Sequence, residues 1–254
     1  NAAILESSRR PLVVDEVTFR GPLAAGQVLL RIFYSGVCGA QINEIDAVKG
    51  PDKFLPHLLG HEGVGEVIDV GPLVSTVSQG DTVVMHWMVG DGLQSDPPNF
   101  EWRGRQVNAG WITTLSEYTV ASENRVTRVS TDLSQKYLPL FGCAASTAWG
   151  SLFNDGHMRL GDSVVVLGTG GVGLLTVEAA RAGGAHPIVA VDRFSHRAEA
   201  AQRFGAQAVF ASDRPDLEDG LREAVGSRGC DLVIETTGAK SMIELAYRMA
   251  AHGG

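Results

Sequence analysis

The chain has 254 residues, 44% of them hydrophobic and 20% charged, with a formal net charge of −8 at pH 7. This is the composition of a globular protein, long enough for two domains that each bury a core. The acidic balance argues against nucleic acid or an anionic membrane as the main partner, and no apolar run reaches the roughly 18 residues of a transmembrane helix.

The start, Asn1-Ala2-Ala3-Ile4-Leu5-Glu6, has no basic region ahead of an apolar stretch and does not read as a signal peptide. Short β-branched runs bounded by turn residues follow: Leu12–Val14, Val28–Ile32, Gly65–Val70, Thr82–Met85 and Ser116–Val120. They predict a β-rich first domain over residues 1–150, with few helices. Within it fall Gly36-Val37-Cys38-Gly39, Gly60-His61-Glu62-Gly63 and Gly142-Cys143-Ala144.

The pattern changes near Ser151, and residues 151–254 predict a second domain. Ser163–Leu167 is a continuous apolar run of the kind buried on both faces of a parallel sheet. Helices are predicted over Gly171–Ala182, Ser195–Phe204, with Ser195 as N-cap, and Ser241–Ala251. Strands are predicted at Pro187–Val191, Ala208–Phe210 and Asp231–Ile234. Alternating strands and helices imply a parallel βαβ sheet. Four strands are fewer than the about six of a doubly wound domain, so the chain reads as C-terminally incomplete.

Two constellations carry chemistry. Two thiolates and an imidazole, from Cys38, Cys143 and His61, suffice to hold a zinc ion with one position open to substrate. Gly168-Thr169-Gly170-Gly171-Val172-Gly173 follows a strand and opens a helix, the context of a dinucleotide-binding turn. Its glycines permit a tight turn, backbone approach to a pyrophosphate and close helix packing. The exposed N–H groups of the helix start favour the phosphate charge. Asp192, at the end of the next strand, stands near the expected spacing of about 20 residues for a ribose-binding carboxylate. Its charge favours NAD over NADP, while Arg193 and Arg197 are the side chains able to meet a 2′-phosphate. Three scattered cysteines, Cys38, Cys143 and Cys230, are no disulfide framework and suit a reducing cytoplasm. Cys230 reads as a buried strand residue. His57, His86, His157, His186, His196 and His252 show no ligand pattern.

Taken in order, these motifs resemble the zinc-dependent medium-chain alcohol and polyol dehydrogenases, and the resemblance covers nearly the whole chain. It implies an α/β protein, a GroES-like β-rich catalytic domain followed by a Rossmann doubly wound parallel sheet. It implies catalytic zinc on Cys38, His61 and Cys143, the two-cysteine, one-histidine set of alcohol dehydrogenases. Glu62 falls where the family has a transient or second-sphere ligand, and Thr147 and Val172 where side chains press on the nicotinamide. Trp87 is implied to line the substrate pocket. The stretch from about Met88 to Gly110 lacks the four cysteines of a structural zinc, so one zinc per chain is expected. The polar segment from Val89 to Gly110, with Asp91, Asp96, Glu101 and Arg103, is expected to cover the cleft and suggests a sugar, cyclitol or polyol substrate.

Three residues depart from the family. Gln41 stands where Asp is frequent, and Ala40 and Asn43 stand where a hydroxyl and a histidine relay the substrate proton. Glu62, Glu44, His57, His86, water and a second substrate hydroxyl are the remaining carriers, of which water or the hydroxyl is favoured. The resulting expectation is a cytoplasmic, homo-oligomeric, NAD-dependent enzyme that oxidises a secondary alcohol or reduces the ketone. Two alternatives are a zinc-free NADPH-dependent quinone or enoyl reductase and a non-catalytic NAD(H)-binding protein. The three ligand residues count against the first; Ala40 and Asn43 give the second its support.

Overall fold

The computed structural model describes residues 1–252 and 254. The chain divides into two compact units, Asn1–Cys143 and Ala144–Gly254. No helix among the described residues is long and apolar enough to cross a membrane.

The first unit contains β1 (Ala2–Leu5), β2 (Val13–Asp15), β3 (Thr18–Phe19), β4 (Gln27–Ser35), α1 (Gly39–Ile45), β5 (His57–Leu58), β6 (Glu62–Val70), β7 (Thr82–His86), β8 (Phe100–Trp102), β9 (Arg105–Val107), β10 (Tyr118–Ser122) and β11 (Val126–Arg128). Five strands form one antiparallel sheet in the order β10-β4-β6-β7-β11. Strand alternation sends Val28, Leu30, Val67, Val83 and Met85 into one buried cluster. Each such burial contributes about 1.5–3 kcal/mol. Two three-stranded sheets, β2-β1-β5 and β3-β8-β9, complete the unit.

Part of the polar segment from Val89 to Gly110 is built into this unit. Its β8–β9 hairpin buries Phe100, Trp102 and Val107 with Ala2 and Ile4. Glu101 and Arg103 are occupied in ion pairs with Arg20 at 2.9 Å and Asp15 at 2.7 Å. Alternation explains the pattern: the apolar residues between the charges face inward while the charges pair on the outside.

The second unit opens with α2 (Ala144–Trp149) and continues through β12 (Val164–Leu167), α3 (Gly171–Ala182), β13 (Ile188–Asp192), α4 (Ser195–Phe204), β14 (Ala208–Ala211), α5 (Leu217–Val225), β15 (Leu232–Glu235) and α6 (Lys240–Met249). Its sheet is parallel, in the order β14-β13-β12-β15. Val164, Val166, Ile188 and Ala190 face one helical layer, with Val177 and Ala180 of α3 and Ala201 of α4. Val165, Leu167, Val189 and Val191 face the other, with Leu221 of α5 and Leu245 and Met249 of α6. Burial of alternate residues on opposite faces is why these strands read as unbroken apolar runs.

Cys230 is fully buried beside β15, and burial raises its thiol pKa, as fits an unreactive core residue. One detail of α4 corrects the sequence reading. Phe194, not Ser195, is the N-cap, with extended backbone, and Ser195 is the first helical residue. The Phe194 N–H donates to Asp192 Oδ1 at 2.9 Å, which fixes the turn one residue earlier.

Candidate metal and nucleotide sites

The first site is assembled by strand register. In the antiparallel pair β4–β6, Ser35 lies opposite Gly63. The residues just beyond these ends, Cys38 after β4 and His61 before β6, therefore emerge at the same end of the sheet. Gly36 N–H donates to Glu62 C=O at 2.9 Å and closes the junction. Cys143 arrives at the end of a tight helical stretch, Gln135–Gly142. A side chain at Gly142 would meet the Met85 carbonyl oxygen at 2.2 Å and Glu62 Cα at 3.0 Å, so only glycine lets the chain lie this close.

The result is a convergent group. Ligand atoms of Cys38, His61 and Cys143 all lie within 4.8 Å of one another. The sulfurs of Cys38 and Cys143 are 3.8 Å apart. Two thiolates at about 2.3 Å from a tetrahedral zinc stand about 3.8 Å apart, so the spacing fits that ion. His61 Nε2 is buried with no hydrogen-bond partner. Burial lowers the His61 pKa and favours the neutral imidazole that a metal requires. Glu62 is 3% exposed on β6 and does not join the three converging ligands.

Gln41, on α1 and 4% exposed, explains the orientation of His61. Its amide lies 2.5 Å from His61 Nδ1. With the amide nitrogen facing that ring atom, Gln41 Oε1 is buried without a partner. Turning the amide lets Oε1 accept from Nδ1–H, satisfies the oxygen and leaves the lone pair on Nε2. That is the tautomer needed for metal binding.

His86 is otherwise engaged, through Nδ1 to Met88 C=O and Nε2 to Thr127 Oγ1, both at 2.9 Å. His57 joins Glu44 and Asp52 in a second close group. Nothing in the spacing of these three residues along the chain signalled that group.

The second site lies at the carboxyl ends of β12 and β13. The turn after β12 carries Gly168, Gly170, Gly171, Val172 and Gly173 into α3. A side chain at Gly173 would meet Gly168 O at 1.9 Å, which is why that position is glycine. Asp192 ends β13 and is 5% exposed. Its Oδ2 accepts from Thr169 N–H at 2.8 Å and Thr169 Oγ1 at 3.0 Å. Burial alone would raise its pKa, but the hydrogen bonds from Phe194 and Thr169, with Arg197 nearby, hold it below the usual carboxylate range. Arg197 Nη1 is 3.9 Å from Asp192 Oδ2, and the guanidinium groups of Arg193 and Arg197 lie over the Phe194 ring. Sequence reasoning missed Thr169 and Phe194, which hold the acid and its neighbouring arginines. Thr147 is half-buried on α2, which packs against α3, the helix carrying Val172.

Soft ligands at tetrahedral spacing in one unit, with a dinucleotide turn and a buried acid in the other, are the equipment of nicotinamide-linked metal oxidoreductases. Known proteins narrow that class. Residues 24–131 match the alcohol dehydrogenase GroES-like domain, and residues 171–254 match the zinc-binding dehydrogenase family. An S-(hydroxymethyl)glutathione dehydrogenase from Escherichia coli O1:K1 / APEC is 29% identical over 280 residues, covering 99% of this chain and 75% of that protein. An alcohol dehydrogenase zinc-binding domain protein from Burkholderia ambifaria superposes with a TM-score of 0.88 at 26% identity, over 98% of this chain and 73% of the other. Benzyl alcohol dehydrogenase from Acinetobacter calcoaceticus gives 0.87 at 26% identity, over 100% and 74%. The chain belongs to the zinc-dependent medium-chain alcohol dehydrogenase family.

Proposed function

We propose that this protein is an NAD-dependent zinc dehydrogenase of secondary alcohols, with one zinc on Cys38, His61 and Cys143. The observation that carries the reading is the 3.8 Å sulfur spacing beside a buried, unpartnered His61 Nε2. When bound, zinc supplies a Lewis acid for the substrate oxygen and NAD the hydride acceptor. The chain's own residues do the positioning. Gln41 fixes the His61 ring. The N-terminus of α3 meets the pyrophosphate charge. Asp192, held by Thr169, keeps acceptor capacity on Oδ1 for a ribose hydroxyl and opposes a 2′-phosphate. Glu62 serves beside the ligands, while Thr147 and Val172 press on the nicotinamide.

The substrate we favour is a sugar, cyclitol or polyol, with exposed Asp91 and Asp96 left to meet hydroxyls once Glu101 and Arg103 are paired. A second reading, an aromatic alcohol, draws on Trp87 and Trp111, which are 48% and 47% exposed. The enzyme works as a cytoplasmic homo-oligomer. NAD-linked turnover screened over polyols and benzyl alcohol, with metal analysis, tests all of this. Turnover without zinc, or no turnover with zinc and NAD bound, would sink the reading.

A further inference from the structure

Two cavities of the first unit meet at α1, and the inference drawn from them rests on the dehydrogenase reading above. One, of about 420 Å³, is lined by Gln41, Glu44, His57 and His61, among others. The second, of about 490 Å³, is lined by Ala40, Asn43, Glu44, Lys49, Asp52 and Lys53, among others. Glu44 belongs to both walls. Ala40 and Asn43, at the positions where relatives relay the proton, bring no titratable group to theirs.

The neighbours of Glu44 decide what it does. The His57 side chain is 8% exposed. Its Nδ1 faces the Leu58 carbonyl at 2.9 Å and its Nε2 faces Asp52 Oδ2 at 2.7 Å. Both ring nitrogens of His57 are therefore already engaged in hydrogen bonds. Glu44 Oε1 stands 3.8 Å from His57 Nε2, beyond hydrogen-bond reach. The titratable groups facing Glu44 are His57, Asp52 and Lys49, with Lys53 lining the second cavity.

We propose that Glu44 is the general base of the reaction, taking the proton of the substrate hydroxyl through water in the cavity shared with Gln41 and His61 and releasing it through the second cavity. In this step the substrate O–H bond breaks and its electron pair stays on the substrate oxygen. The proton ends on a Glu44 carboxylate oxygen, by way of water that gives up one proton as it gains another. Glu44 then loses that proton to solvent; NAD, when bound, would be the hydride acceptor. Either cavity is many times the about 30 Å³ that one water occupies in the liquid.

Partial burial raises the Glu44 pKa, the side chain being 44% exposed, and Asp52 adds to this, while His57 and Lys49 pull it down. A base of raised pKa is better matched to neutral pH. The test is Glu44→Gln in the zinc- and NAD-loaded enzyme, with Glu44→Asp beside it. Glu44→Gln is expected to lower kcat about 100-fold, the low end of what general-base catalysis contributes, and to remove the acid limb from the pH profile of kcat/KM. Glu44→Asp retains that limb but shifts its midpoint. Zinc content and NADH fluorescence stay at the unmodified level, so a failure here is separable from a failure of the dehydrogenase reading. In the unloaded protein, a ¹³C NMR titration should place the Glu44 carboxyl midpoint above the ordinary value of about 4.3, and Asp52→Asn should lower it. Unchanged kcat and an unchanged acid limb in Glu44→Gln would overturn the proposal. If that variant does not fold, a Glu44→Asp profile with no shift in its acid limb, or an unshifted carboxyl midpoint, overturns it instead.

Discussion

Replacing Gln41 by leucine removes the partner of His61 Nδ1 at nearly constant volume. Gln41 is 4% exposed, so water has little access to replace it. In the metal-bound state Nδ1 must carry the proton, because Nε2 is the ligand atom. In the metal-free state the ring is free to carry its proton on Nε2 instead. The cost of an unpaired buried N–H, about 1–3 kcal/mol, therefore falls mainly on the bound state. That corresponds to a zinc affinity lower by ~5- to 150-fold, a range that brackets the about 10–100-fold effect of removing such outer partners elsewhere. Competition with a chromophoric chelator measures it directly. Gln41→Glu keeps an acceptor for Nδ1–H and should bind zinc at least as tightly as the unmodified protein. If Gln41→Leu binds zinc as tightly as the unmodified protein, the tautomer argument is wrong.

Asp192→Ala should narrow the preference for NAD over NADP in paired KM measurements, because the carboxylate that repels a 2′-phosphate is gone and Arg197 loses its partner. Tighter NADP binding by the unmodified protein would contradict this. Glu123, fully buried, accepts from the amides of Ser75 at 2.6 Å, Thr76 at 2.7 Å and Leu93 at 2.8 Å. Burial alone would raise its pKa, but these amides hold it below the ordinary value. Its stabilising contribution is thus present above the unfolded value of about 4.3 and is lost as pH falls through the lower folded value. Glu123→Gln turns an amide –NH₂ toward a backbone donor and should cost about 1–3 kcal/mol, read as a lower Tm at pH 7 and a gap that closes in acid. An equal Tm at pH 7 would refute that role.

What the sequence disclosed follows from the physics of each element. The runs at Val164–Leu167 and Ile188–Val191 were legible because strands buried on both faces leave only apolar residues. The helices α3, α4 and α6 follow strands at regular intervals and were legible for that reason. The helix α5 was not, because Gly220 and four charged residues in Leu217–Val225 obscure its apolar stripe of Leu217 and Leu221. The strands β3 and β5 have two residues each, too few to show any period. At the metal site the three ligands stood out through their glycine-flanked contexts. Gln41 was visible only as a departure, because its role depends on a contact between α1 and the residue preceding β6. The grouping of Glu44, Asp52 and His57, like the hold of Thr169 on Asp192, arises from tertiary proximity with no spacing rule behind it.

X-ray absorption on the purified protein, with elemental analysis, tests whether Cys38, His61 and Cys143 bind one zinc. One zinc per chain is expected, with two sulfur neighbours at about 2.3 Å and a nitrogen at about 2.0–2.1 Å, and one sulfur lost in Cys143→Ser. Full NAD-linked activity without bound zinc, or a zinc with no sulfur neighbours, would contradict it.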